Sequence, residues 1–201
     1  MKMERILYLN ERFAAVAENG RLVEYMPIRA EEETGAILRG RVERIMGAMQ
    51  CAFVDIGRKK SGFLPLKENS QTFQGGLLQS GEEVLVQIRK EERDGKGAFL
   101  SRDLNLAGSG LLLMPMNRFI GVSARVKEEA ARTRLKELGK TLLAEQKMPC
   151  GIVMRAAALQ LNPEALRAER DQLWEGWQRA LERSKAQPEA RVVLEGFSAA
   201  E

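Results

Sequence analysis

The stretch CAFVDIGRKKSGFLPLKE, residues 51–68, decides how this chain is read. Two short apolar runs flank a turn that carries Gly57, Arg58, Lys59, Lys60 and Ser61. Side chains along a strand point alternately to its two faces. In CAFVDIG that alternation puts Ala52, Val54 and Ile56 on one side, and Phe53 and Asp55 on the other. In GFLPL, Leu64 and Leu66 share a side and Phe63 opposes them. If the aliphatic set fills a core, both rings stand outside, beside Arg58, Lys59 and Lys60. Such a surface stacks single-stranded bases, at about 1–3 kcal/mol per base, while the cations meet phosphates. If the rings are core instead, the cations are a solvated turn. Alternation alone leaves both readings open.

Outward from this pair the β texture continues. AILRGRVERIM, EEVLVQIRK and GAFLS add three more short segments, punctuated by Gly47, Gly57, Gly62 and the Asp94-Gly95 pair. Five short strands within residues 36–104 predict a small barrel of the OB type. Before it, ILYL, FAAVA and LVEYMPI read as strands with an Asn19-Gly20 turn between the last two, and RAEEETG is a polar boundary. After it, AGSGLLLMP and CGIVMRA read as strands. A helix carries Ala131, Leu135, Leu138 and Leu142 on one face. A second opens at Asn162-Pro163-Glu164, an N-cap followed by a first-turn proline and an acid. It presents Leu166, Leu173, Trp174, Trp177 and Leu181. The economical arrangement is a single α+β domain, built from the opening strands and the later βαβα elements, with the barrel inserted between them.

Of 201 residues, 44% are apolar and 30% charged, as in a soluble globular protein long enough to bury a core. Lys and Arg outnumber Asp and Glu by 32 to 28, which permits a polyanionic partner without demanding one. There is no histidine, which excludes histidine catalysis, serine–histidine triads and the usual zinc constellations. Cys51 and Cys150 lie in apolar surroundings without CxxC spacing and read as buried thiols in a reducing compartment. The opening MKMERILYLNERF lacks a signal-peptide core, and no apolar run approaches the ~20 residues of a membrane span. The expectation is a cytoplasmic protein with no membrane partner; whether it forms a homo-oligomer is open.

The stretch GRVERIMGAMQCAFVDIGRKKSGFLPLKE resembles the S1-type RNA-binding domain of bacterial ribonucleases of the RNase E/G family. The likeness continues through SGEEVLVQIRKEERDGKGAFLSRDLNLAGSGLLLMPMN, GVSARV and GIVMRAA, and covers most of residues 36–160. It implies a five-stranded OB-type, S1-like barrel (36–104) inserted into an RNase H-like subdomain made of residues 1–35 and 105–201. By the same resemblance Phe53 and Phe63 are RNA-binding aromatics, and Lys96 of EERDGKGA is an RNA-contacting lysine; Arg58, Lys59 and Lys60 supply charge beside them. The family also senses a 5′-monophosphate. That pocket corresponds to Gly108, Leu112 and Arg155, with Arg125 as a cationic neighbour. A threonine follows the sensing arginine in the family, whereas this chain has Ala156.

The family's Mg²⁺-holding carboxylates belong to a DNase I-like domain that would follow near residue 201, so this chain alone is expected to be inactive and to need no cofactor. The acids present are dispersed, and ILYL lacks the acid that an active RNase H fold needs in its first strand. The reading is the single-stranded-RNA-binding N-terminal region of an RNase E/G-type endoribonuclease. The alternatives are a stand-alone, non-catalytic RNA-binding regulator and a module that binds another protein.

Overall fold

The computed structural model describes residues 5–9, 13–27, 33–66, 78–187 and 191–195. The three opening strands, β1 (Arg5–Leu9), β2 (Phe13–Glu18) and β3 (Arg21–Pro27), pair antiparallel in sequence order. Between β2 and β3, Asn19 and Gly20 both take positive φ, 49° and 76°, as a two-residue turn matched to strand twist requires. Among the described residues these strands pair only with one another. They form a sheet of their own, where the sequence suggested one shared with the later elements. The reason is local: β2 meets β3 across two residues, so closing that loop costs little entropy.

The barrel follows from alternation. Its strands are β4 (Ile37–Met46), β5 (Cys51–Asp55), β6 (Gly62–Pro65), β7 (Glu83–Lys90) and β8 (Phe99–Ser101). They run in the order β4-β5-β6-β8-β7, and β7 pairs back onto β4 to close the ring. Only the β6–β8 pairing is parallel. Leu38, Val42, Ala52, Val54, Leu64, Val86, Ile88 and Leu100 fill the interior, all fully buried or nearly so. Both phenylalanines of the quoted stretch therefore stand outside. Gly40 lets β4 pass from β7 to β5, because a Cβ there would lie 2.4 Å from Val54 Cγ1.

The second layer is a mixed sheet of β9 (Leu106–Ala107), β10 (Leu111–Met114), β11 (Ile120–Val122) and β12 (Gly151–Met154), in the order β11-β12-β10-β9. Helix α1 (Glu129–Glu145) connects the parallel pair β11 and β12. It packs Ala131, Leu135 and Leu142 against the sheet, and Gly139 brings it close to Ile152 and Met154. Helix α2 (Pro163–Ala186) opens as its sequence dictates: Asn162 Oδ1 accepts the Ala165 amide at 2.7 Å, and Pro163 sits in the first turn. Leu166 and Trp177 of α2 are buried, with Leu173, Trp174 and Leu181 packed beside them. Cys51 and Cys150 are free and buried, and burial pushes the Cys150 thiol up to about 11.

Barrel and second layer share a wall. On β4, Leu38 points into the barrel and Ile37 into the α/β core, and Leu85 of β7 joins the latter. A last strand, β13 (Val192–Leu194), pairs with the start of β4 where β5 does not reach. Arg39 donates to the Ser184 carbonyl and hydroxyl at 2.7 and 2.6 Å, and Gln87 exchanges hydrogen bonds with Asn105 at 2.8 and 2.9 Å.

Candidate nucleic-acid interface

The outer face of the barrel carries one row of side chains running across all five strands. Phe53 pairs with Phe63, and Phe63 pairs with Phe99. The ring centroids of the first pair are 6.2 Å apart, edge to face at 77°, and those of the second are 5.7 Å apart at 35°. Arg44 lies opposite Phe53 with its guanidinium 5.5 Å from the ring centroid, and the Lys90 ammonium is 6.0 Å from that of Phe99. Three half-buried rings are thus flanked by a cation at each end. Both cations owe their place to register shifts, one between Val42 and Arg44 in β4 and one between Ile88 and Lys90 in β7. An extra residue in a strand re-aims the side chain that follows it.

The hairpin after β7 turns at Asp94-Gly95, with φ of 52° and 79°, and pairs Arg93 with Lys96. It leans on the loop before β6 so closely that a Cβ on Gly97 would overlap the Ser61 carbonyl oxygen. Between hairpin, loop and rings lies a groove of about 880 Å³, bordered by Lys59, Lys60 and Lys96. Lys59 and Lys96 are exposed, and among the described residues neither carries an ion pair; Lys60 holds Glu92 at 2.5 Å.

Arg58 differs from its neighbours. Its guanidinium holds Glu33 at 2.6 Å and Glu91 at 2.7 Å, and its side chain is only 24% exposed. It does not border the groove. Burial disfavours its charge, but the hydrogen bonds to Glu91 and Glu33 outweigh that and hold its pKa above the ordinary value. Its guanidinium thus ties the turn to Glu33, ahead of β4, and to Glu91, just after β7.

A second cluster gathers at one end of the mixed sheet. Because β11 and β12 are parallel and β10 is antiparallel to β12, the β9–β10 turn lies beside the ends of β11 and β12. Arg155 leaves β12 there and donates to the Gly108 carbonyl from Nη1 and to the Gly110 carbonyl from its amide, the latter at 2.8 Å. Arg125 is exposed on the loop after β11, two residues past Ser123, whose amide is bonded to Met154. Leu112 is half-buried on β10, opposite Ala107 and Val153. The carboxylate of Glu169 on α2 accepts the amides of Ser109 and Gly110, the latter at 3.0 Å to Oε2.

Residues 31–103 match the S1 RNA binding domain, and residues 105–200 match the Ribonuclease E/G family. The chain carries an S1 domain followed by a ribonuclease E/G family domain. It is 36% identical to ribonuclease E of Haemophilus influenzae over 171 residues, 79% of this chain and 18% of that protein. Against ribonuclease E of Escherichia coli K12 it is 36% identical over 187 residues, 83% and 17% of the two chains. Against ribonuclease G of H. influenzae it is 35% identical over 196 residues, 89% and 39%. The chain thus spans about a fifth to two fifths of the length of these relatives.

The S1 match contains the whole ring row, and the ribonuclease E/G match contains Gly108, Arg125, Arg155 and Glu169. Among the described residues no three carboxylate or thiol side chains converge. No helix among them is long and apolar enough to cross a membrane. Reading by sequence missed Phe99, Arg44, Lys90 and Glu169. Phe99 was accessible, since Ala98 and Leu100 of GAFLS are barrel core and alternation turns the residue between them outward. Arg44 and Lys90 were not, because the bulges break the two-residue period just before them.

Proposed function

We propose that this chain is the RNA-binding region of an RNase E/G-type endoribonuclease, a cytoplasmic machine of RNA processing and decay. The observation that carries the reading is the register-aligned row Arg44–Phe53–Phe63–Phe99–Lys90, beside a groove with exposed Lys59 and Lys96. Rings in a row accept successive bases whatever their identity, and cations along the edge track the backbone; that is the requirement for a flexible single strand. The mixed sheet and helices are read as the family's RNase H-like subdomain. Hydrolysis and its Mg²⁺ are assigned to carboxylates outside these residues. The cluster around Gly108 and Arg155 is read as the seat of an RNA 5′-phosphate: a guanidinium and close-set backbone amides suit a phosphate group.

The test is binding of a fluorescently labelled, unstructured RNA at two salt concentrations, with wild type and a Phe53→Ala/Phe63→Ala variant shown to be folded by circular dichroism. Salt-sensitive binding that the folded variant loses supports the reading. Absent binding, or equal binding by the variant, removes RNA from this face.

A further inference from the structure

Glu169 is held differently from the arginine-paired acids among the described residues. Glu33, Glu91 and Glu145 each face an arginine. Glu169 has no cation within ion-pair distance among the described residues; its partners are the consecutive backbone amides of Ser109 and Gly110, the latter reaching both carboxylate oxygens at 3.3 and 3.0 Å. Successive amides converging on one anion form a nest, a fixed patch of positive partial charge that takes carboxylate or phosphate oxygens alike. The loop is shaped to this occupant. A Cβ on Gly108 would lie 2.5 Å from Glu169 Oε1, and one on Gly110 would lie 3.3 Å from Oε2. The guanidinium beside it is engaged as well, since Arg155 Nη1 donates to the Gly108 carbonyl. The Gly108 amide donates to the Leu111 carbonyl at 2.9 Å, so every backbone amide from Gly108 to Gly110 is occupied from within the chain.

We propose that Glu169 is a built-in competitor at this seat, and that its carboxylate withholds the Ser109 and Gly110 amides from a terminal phosphate monoester. The chain then binds RNA through the ring row with little regard for the 5′ group. Glu169 is the residue that sets this indifference, and removing its carboxylate confers 5′-monophosphate preference. Ala156 fits the same outcome, because it offers no hydroxyl to help a phosphate displace the carboxylate. The inference rests on reading the Gly108–Arg155 cluster as a phosphate seat, but not on the ring row.

The experiment compares wild type, Glu169→Ala and Glu169→Gln, with folding checked by circular dichroism. Affinities are measured for one RNA carrying either a 5′-monophosphate or a 5′-hydroxyl. Wild type should distinguish the ends by less than about threefold, and Glu169→Ala should prefer the monophosphate by roughly tenfold or more, the worth of one charge-assisted hydrogen bond. Binding of the hydroxyl RNA should be unchanged. The glutamine variant keeps an acceptor on the amides without the charge and should fall between; it also serves if the alanine variant does not fold. A strong monophosphate preference in wild type, or an unchanged ratio in the folded variants, overturns the proposal. A second readout needs no ring row: amide resonances of Ser109 and Gly110 are followed while uridine 5′-monophosphate or uridine is added. Monophosphate-specific shifts in the variant but not in wild type support the competitor even if RNA does not bind, a result that would sink the platform alone. Equal shifts in both proteins, or none in the variant, overturn it.

Discussion

Phe63 is the ring on which the platform turns. It lies in register with Phe53 on one side and Phe99 on the other, at centroid distances of 6.2 and 5.7 Å. Phe63→Ala removes one stacking surface, about 1–3 kcal/mol or roughly 5- to 150-fold in affinity. It also breaks two aromatic pairs, each worth about 0.5–1.5 kcal/mol of fold stability. The barrel should survive that loss, because its interior is closed by Leu64 and Leu100, both fully buried, and not by the half-exposed ring. Phe63→Leu separates the two effects: it keeps apolar bulk between Phe53 and Phe99 and loses the flat face. The assay is fluorescence anisotropy of a labelled single-stranded RNA over a salt series. Both variants should bind more weakly, while the slope of log affinity against log salt stays as in wild type, since a phenyl ring releases no counterions. Phe99→Ala should cost about as much as Phe63→Ala if a third base stacks there. Wild-type binding by folded Phe63→Leu, or a flattened salt slope, refutes base stacking on this face. A change below about twofold for Phe99→Ala would shorten the platform to two rings.

The cations separate by the same slope. Lys59→Ala and Lys96→Ala should each lower it by about 0.7, the increment for one phosphate on a single strand, whereas Arg58→Met should leave it unchanged and lower the melting temperature, because Glu33 and Glu91 lose their partner. Acid stability carries its own signature. Hydrogen bonds from Arg167 and Arg170 hold the Glu145 carboxyl at about 2, against an ordinary 4.5. A depressed folded value means its stabilisation is complete above about pH 4.5 and fades as pH falls toward 2, so the melting-temperature gap between wild type and Glu145→Gln should be full at pH 6 and close by about pH 2. A gap that persists unchanged to pH 2 contradicts the ion-pair reading.

What the sequence showed and what it hid follow one physical division. Features set by neighbours along the chain were legible. The cap at Asn162 acts over three residues, the Asn19-Gly20 turn over two, and alternation in CAFVDIG and GFLPL set both rings opposite the aliphatic set, while only the closed barrel decided which side was core. Features set by pairing across the chain were not. Arg58 looked like one more cation of a basic turn, yet its partners lie 25 and 33 positions away. Glu169 lies within the second helix, and only folding brings it to an amide 60 positions earlier. The bulges that seat Arg44 and Lys90 are likewise decided by how two strands meet.

The two candidate surfaces are held in one frame, and this bears on how they act together. Residues Ile37 and Leu38 serve different cores, β13 closes onto β4, and Gln87 and Arg39 bond across to Asn105 and Ser184. On the proposed reading, a base on the rings and a terminal phosphate at the Gly108 turn would therefore be held at a set separation. Were the phosphate seat open, a bound 5′ end would set the register of the strand on the platform. With Glu169 on the Ser109 and Gly110 amides, that reading leaves the 5′ end without such an anchor, and rings that accept any base would let the strand slide. On the proposed reading the carboxylate weakens the hold on a 5′-monophosphate end and leaves the hold on a 5′-hydroxyl end as it is, so the ratio between the two ends is the quantity that Glu169 should control.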